Sequence, residues 1–212
     1  MQILKDNIRK SILDEAKKEF LEKGFSDASM RTIASKAGIS VSTIYTYYKN
    51  KDELMTEVCL PFVNAANTMT IEHHNADTDI DHMLNPESQR ETARELIAMV
   101  KKYRDIIRLI LFRSEGSSMN NFRDDYTDRT TAHILWFFGK MKMKYPEINT
   151  EISNFFLHAN CAWMLSIIGE IVSHDLSDEE LDKFTNDYVQ FSTAGWAKLF
   201  GVKYNVYIIN LS

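Results

Sequence analysis

The chain's 212 residues suffice for a substantial core in one large or two small domains. Its seven glycines and three prolines favour long helices over a turn-rich β architecture. The net charge of −5 is divided unevenly: residues 1–51 carry ten Lys or Arg against six Asp or Glu, a net of +4, which leaves −9 for the remainder. Cys59 and Cys161 lie far apart on apolar segments and no signal-peptide pattern precedes them, so a reducing cytoplasm is expected rather than a disulfide framework. No uninterrupted apolar run reaches about 18 residues, and no association with a membrane is expected.

Ile3–Lys23 predicts a first helix with Ile8, Ile12, Leu13, Ala16 and Phe20 on one stripe, stopped by Gly24. Met30, Ile33, Ala34 and Ala37 repeat at i, i+3, i+4, i+7, which predicts a short second helix closed by Gly38. Ser40 then stands as an N-cap for a third, anchored by Ile44 and Tyr48. The outward residues of that helix are small and polar, as a helix that approaches base edges requires. Asn50 with Glu53 is a variant of the capping box and starts a fourth helix at Lys51. Two short helices joined by a tight glycine turn make a helix-turn-helix.

The run Met30–Leu54, in particular IASKAGIS, the ending IYTYYKNKDEL and its Tyr-x-x-Tyr-Lys-x-Lys core, resembles the N-terminal domain of TetR-type transcriptional regulators. The resemblance covers roughly the first quarter of the chain. It implies a homodimer that binds double-stranded DNA at a palindromic operator and releases it when a small molecule fills a pocket in the C-terminal domain. The implied organisation is all-α, about nine helices: a three-helix DNA-binding domain over 1–50, a connecting helix over 51–75, and a helical effector-binding and dimerisation domain over 51–212. Ser40, Ser42, Thr43, Thr46 and Tyr47, flanked by Val41, are expected to face the major groove, with Arg31, Tyr45, Lys49 and Lys51 also at the DNA. Many relatives place a basic or glycine residue near the start of the recognition helix, where this chain has Val41 and Ser42, so its base preference is not implied.

The connecting helix carries Pro61, which removes one backbone donor and predicts a bend or loosening near residues 57–60, a natural lever in a regulator. Asp77–Pro86 is acidic and polar and is expected to be a loop. Ser88 with Glu91 suggests a cap for a helix over Glu87–Arg113, broken around Lys102–Arg104. Ser114–Asn121 is a second expected loop. An aromatic-rich helix, Phe122–Tyr145, ends at Pro146. A helix apolar on several sides follows over Asn149–His174, and a Ser177/Glu180 capping box opens a last helix that closes at Gly201. Val202–Ser212 is β-branched and aromatic, which favours an extended strand.

Leu181, Phe184, Tyr188 and Phe191 on that last helix, beside the apolar helix before it, form the expected dimer interface, a four-helix bundle across a two-fold axis. The expected effector pocket combines Phe112, Phe122, Tyr126, His133, Trp136, Phe137, Phe155, His158, Asn160 and Trp163, aromatic walls with sparse polar groups. His73 beside His74, and Glu170 four residues before His174, have metal-capable side chains. Neither forms a familiar zinc spacing, so a solvated face is expected, with no metal and no cofactor. The chain has no phosphate loop, nucleophile elbow or paired-cysteine motif, and no enzyme is expected. A regulator answering a protein partner or no ligand, and a helical metal- or ligand-binding protein without DNA binding, are the competing functions.

Overall fold

The computed structural model describes residues 2–202, with side chains from Leu4 onward. The expected strand at the C-terminus lies outside the described residues except for Val202. Among the described residues all regular structure is helical.

The head is built as its sequence signals predict. Helix α1 (Gln2–Asp27) buries Ile12, Ala16 and Phe20 and breaks at Gly24, whose φ of 77° is left-handed. The next amide, Phe25 N–H, donates to the Arg113 carbonyl at 2.8 Å, which ties the end of α1 to the body. Helix α2 (Met30–Lys36) is capped by Ser29 and followed by Gly38 at φ 71°. Helix α3 (Val41–Tyr47) is capped by Ser40, whose hydroxyl accepts from Thr43 N at 3.1 Å. Helix α4 (Lys51–His73) starts in a near-reciprocal cap: Asn50 Oδ1 accepts from Glu53 N, and Glu53 Oε2 accepts from Lys49 N. Ile33, Ala34, Ile44, Tyr48 and Leu54 seal the three head helices together.

Helix α4 continues as helix through Pro61 and through residues 57–60, where a bend or loosening is expected. The proline sits on the exposed side, between exposed Leu60 and buried Phe62. Solvent can therefore satisfy the carbonyl that loses its donor.

The expected loop at 77–86 contains a helix, α5 (Ile80–Leu84), because Asp79 caps it and Ile80 and Leu84, one turn apart, are both buried. Helix α6 (Pro86–Lys102) is capped by Asn85, which accepts from both Glu87 N and Ser88 N, with Pro86 in the first turn. The Ser88/Glu91 cap is thus corrected. After Tyr103 comes α7 (Arg104–Phe112), so the break falls where the sequence placed it. A 3-10 turn at Ser118–Asn121 leads into α8 (Phe122–Lys144). Helix α9 (Asn154–Ser173) begins later than expected: Asn149 N and Nδ2 are spent on the carbonyls of Phe200 and Leu199, and Ser153 supplies the cap. Helix α10 (Asp178–Phe200) has both halves of the Ser177/Glu180 box and ends at Gly201 in the left-handed region.

One apolar core is continuous from the head through α4 and α7 to α9 and Leu181. A second, around Phe137, Phe138, Met141, Leu157 and Phe200, closes the far end of the body. By length and composition α9 could cross a bilayer. It packs instead against α6, α7 and α8, with aromatic side chains left on its outer side.

Candidate nucleic-acid interface and ligand cavity

Helix α3 turns Ile44 inward and leaves Val41, Ser42, Tyr45 and Thr46 exposed, with Thr43 and Tyr47 half-buried. Tyr47 also packs against the main core. The Ser40 hydroxyl lies 2.8 Å from that of Ser42 and 2.7 Å from that of Thr43, so the start of the helix carries a compact hydroxyl cluster. Thr46 donates its hydroxyl back to the Thr43 carbonyl at 2.7 Å, a local bond that occupies its polar end.

The basic residues of the head divide into two kinds. Arg31 and Lys49 are exposed and, among the described residues, make no ion pair. Lys36 is held by Glu19 at 2.9 Å, a contact that fastens α2 to α1. Lys51, expected at the DNA, is drawn inward. Its Nζ donates to the carbonyls of Ser26 and Ala28, both at 2.9 Å, and stands 4.6 Å from the Phe25 ring centroid. These carbonyls sit where α1 ends and need donors, which a cation at the C-terminal end of a helix supplies. Arg9 likewise reaches Glu57 at 2.7 Å and ties α1 to α4.

The body encloses a cavity of about 300 Å³ between the second half of α4 and helices α6, α8, α9 and α10. Only Tyr126 and Asn160 of the ten expected pocket residues line it. Phe122 and Phe137 are buried in the two apolar cores. Phe112, Trp136, Phe155 and Trp163 are exposed on the surface. His133 donates from Nε2 to the His74 carbonyl at 2.8 Å, the oxygen being only an acceptor, and His158 lies 3.4 Å from Asp128. The physical reason is angular: consecutive helical residues point about 100° apart, so Trp136 and Phe137 cannot share one wall.

The missing walls come from α4 and α6, through Met69, Thr70, His73, Thr92 and Leu96. His73 and His74, expected on a solvated face, are both half-buried at this cavity. His73 Nε2 is 3.0 Å from Glu95 Oε2. His74 Nδ1 donates to the Thr70 carbonyl at 3.2 Å, and burial lowers its pKa to about 4, so the ring is neutral near pH 7. Tyr126 and Thr70 share a hydroxyl contact at 3.0 Å. The adjacency of the two histidines was the signal available in the sequence. Nothing in it placed them on an inner wall.

Of the expected interface residues, Leu181 is buried in the main apolar core. Tyr188 is half-buried, lines the cavity and donates its hydroxyl to Met164 Sδ at 3.0 Å. Phe184 and Phe191 are exposed, Phe191 by 67%. Trp163 and Phe155, expected in the pocket, belong with them. Trp163 lies 6.0 Å from both Tyr188 and Phe191, and Phe155 is 79% exposed. The outer side of α9 and α10 is therefore an aromatic surface of the kind that marks an interaction site.

Residues 12–58 match the family described as bacterial regulatory proteins, tetR family. The chain is 40% identical over 50 residues to an uncharacterized HTH-type transcriptional regulator, YhgD, of Bacillus subtilis (strain 168), an alignment that spans 24% of this chain and 26% of that protein. In fold it is similar to NalD, the secondary repressor of the MexAB-OprM multidrug efflux pump in Pseudomonas aeruginosa, with a TM-score of 0.62 and 19% identity over 90% of this chain and 95% of that one. MexZ, a repressor responsible for antibiotic resistance in Pseudomonas aeruginosa, gives 0.61 and 18%, over 91% and 94%.

Proposed function

We propose that this chain, which belongs to the TetR family of bacterial regulatory proteins, is a sequence-specific DNA-binding transcriptional regulator, a homodimeric repressor that a small-molecule effector releases from a palindromic operator. The observation that carries the proposal is the exposed, small and polar face of α3 on a head whose Arg31 and Lys49 have no ion pair among the described residues. Ser40, Val41, Ser42, Thr43, Thr46 and Tyr47 read base edges in the major groove, Thr46 through its methyl group because its hydroxyl is bonded to the backbone. Tyr45, Lys49 and Arg31 meet phosphates. Lys51 acts within the head, as the strut between α4 and the end of α1.

Residues 1–50 form the DNA-binding unit, and 51–212 the effector-binding and dimerisation unit. Helix α4 belongs to both. Its first turn is fastened to the head by Lys51, while Ala66–His74 forms a wall of the cavity. A ligand that moves that wall tilts the head, and in a dimer it changes the separation of two recognition helices that must match half-sites about 34–36 Å apart. The aromatic surface on α9 and α10 is where the second subunit is expected to pack, through Phe184 and Phe191 with Trp163 and Phe155. The site of action is the cytoplasm, where chromosomal DNA lies.

An electrophoretic shift with the DNA upstream of the protein's own gene tests the proposal. A shift that specific competitor abolishes and non-specific competitor does not is expected. Binding indifferent to sequence at about 150 mM salt refutes it.

A further inference from the structure

The polar groups of the cavity decide what it can hold. Among the described residues that line it there is no Asp, Glu, Lys or Arg. Many of its polar side chains already have partners in the protein: His73 with Glu95, Tyr126 with Thr70 and the Ala66 carbonyl, Tyr188 with Met164. The Gln89 and Asn160 side-chain amides on its wall make no hydrogen bond among the described residues. His74 is different. Its Nδ1 must carry the proton it donates to the Thr70 carbonyl, which leaves Nε2 of the neutral ring as a bare acceptor. Among the described residues no hydrogen bond reaches that nitrogen, and the ring lines the cavity. Burial, with His73 and His133 beside it, keeps the ring uncharged.

We infer that the cavity selects uncharged, mainly apolar ligands that present one hydrogen-bond donor, such as a hydroxyl, to His74 Nε2, and that it rejects permanent cations and carboxylates. This holds only if the cavity is the effector site proposed above. A cation would lose its water with no carboxylate to replace it, and a carboxylate would find only neutral donors and no Lys or Arg to balance its charge. Either loss outweighs what one hydrogen bond returns. In size the cavity equals about ten water volumes, which suits a ligand with a ten-carbon chain.

The test uses the full-length protein at pH 8 with Nile red as the reporter, displaced by four compounds of one chain length: 1-decanol, decyl methyl ether, decyltrimethylammonium and decanoate. Decanol is expected to displace the dye at least about ten-fold more tightly than either charged compound, and about three- to ten-fold more tightly than the ether, which cannot donate. In His74→Leu the advantage of decanol over the ether disappears, whereas His74→Gln, which restores an acceptor oxygen, keeps part of it. The wild-type series stands on its own should His74→Leu fold poorly. Equal or tighter displacement by the ammonium or by decanoate overturns the inference, as does an alcohol advantage that survives in folded His74→Leu. Comparable displacement by all four, abolished by the cavity-filling Ala93→Trp, overturns the inference and leaves the effector reading of the cavity standing. Displacement by none of them, or displacement untouched by Ala93→Trp, overturns the effector reading of the cavity together with it.

Discussion

Lys51 separates two accounts of the head that the sequence alone cannot tell apart. If its ammonium met a DNA phosphate, Lys51→Ala would lower the slope of log K against log[salt] by about one and leave the free protein's stability alone. In the structure the ammonium instead donates two hydrogen bonds of 2.9 Å to the Ser26 and Ala28 carbonyls and rests over Phe25. A charge-assisted bond is worth more than a neutral one, but the site is only half-buried, so about 2 kcal/mol for the pair is reasonable. In a protein of this size that is a fall of about 4–8 °C in melting temperature. Lys51→Met keeps the stem against Phe25 and removes only the charge, so most of the fall should persist in it. Thermal unfolding of the free protein, followed by operator titration across a salt series well below the melting point, measures both quantities. An unchanged melting temperature with a slope reduced by about one would refute the strut and restore the phosphate contact.

Four further outcomes are expected. Lys49→Ala should lower the salt slope by about one on any sequence without changing the melting temperature, as fluorescence anisotropy would show. Phe191→Glu, on the exposed aromatic surface, should give a monomer by light scattering with helicity retained, whereas Leu181→Ala, inside the subunit core, should cost about 2–5 kcal/mol of unfolding free energy. The folded-state pKa of His74 is lowered to about 4, so the unfolded chain binds the extra proton first; its stabilisation is present above about pH 6.5 and is lost as pH falls towards 4, by up to about 3 kcal/mol. In denaturant titrations over that window wild type should therefore lose up to about 3 kcal/mol relative to His74→Gln as pH falls, whatever their difference at neutral pH. Thr46→Ala should change the preference at one base position by about 1–3 kcal/mol, read by competition among operator variants.

Cap and stripe signals carried most of the helical plan. Ser40, the Asn50/Glu53 pair and Ser177/Glu180 start helices where they stand, and Gly24, Gly38 and Gly201 end them, because each device acts through bonds within a few residues of itself. Where a local signal failed, a distant partner had intervened. Asn149 did not begin a helix because it closes the end of α10, and 80–84 became helical because Ile80 and Leu84 reach the second core.

Sequence by itself determined the helix-turn-helix, its inward Ile33, Ala34, Ile44 and Tyr48, and its exposed polar face, since that spacing and those caps are complete within one short stretch. Only the tertiary structure decided which aromatics line the cavity, which face outward, that His73 and His74 stand on its wall, and that Lys51 turns inward. Periodicity says that a helix has an apolar stripe. What that stripe meets depends on the direction from which other helices approach, and no local interaction encodes that direction.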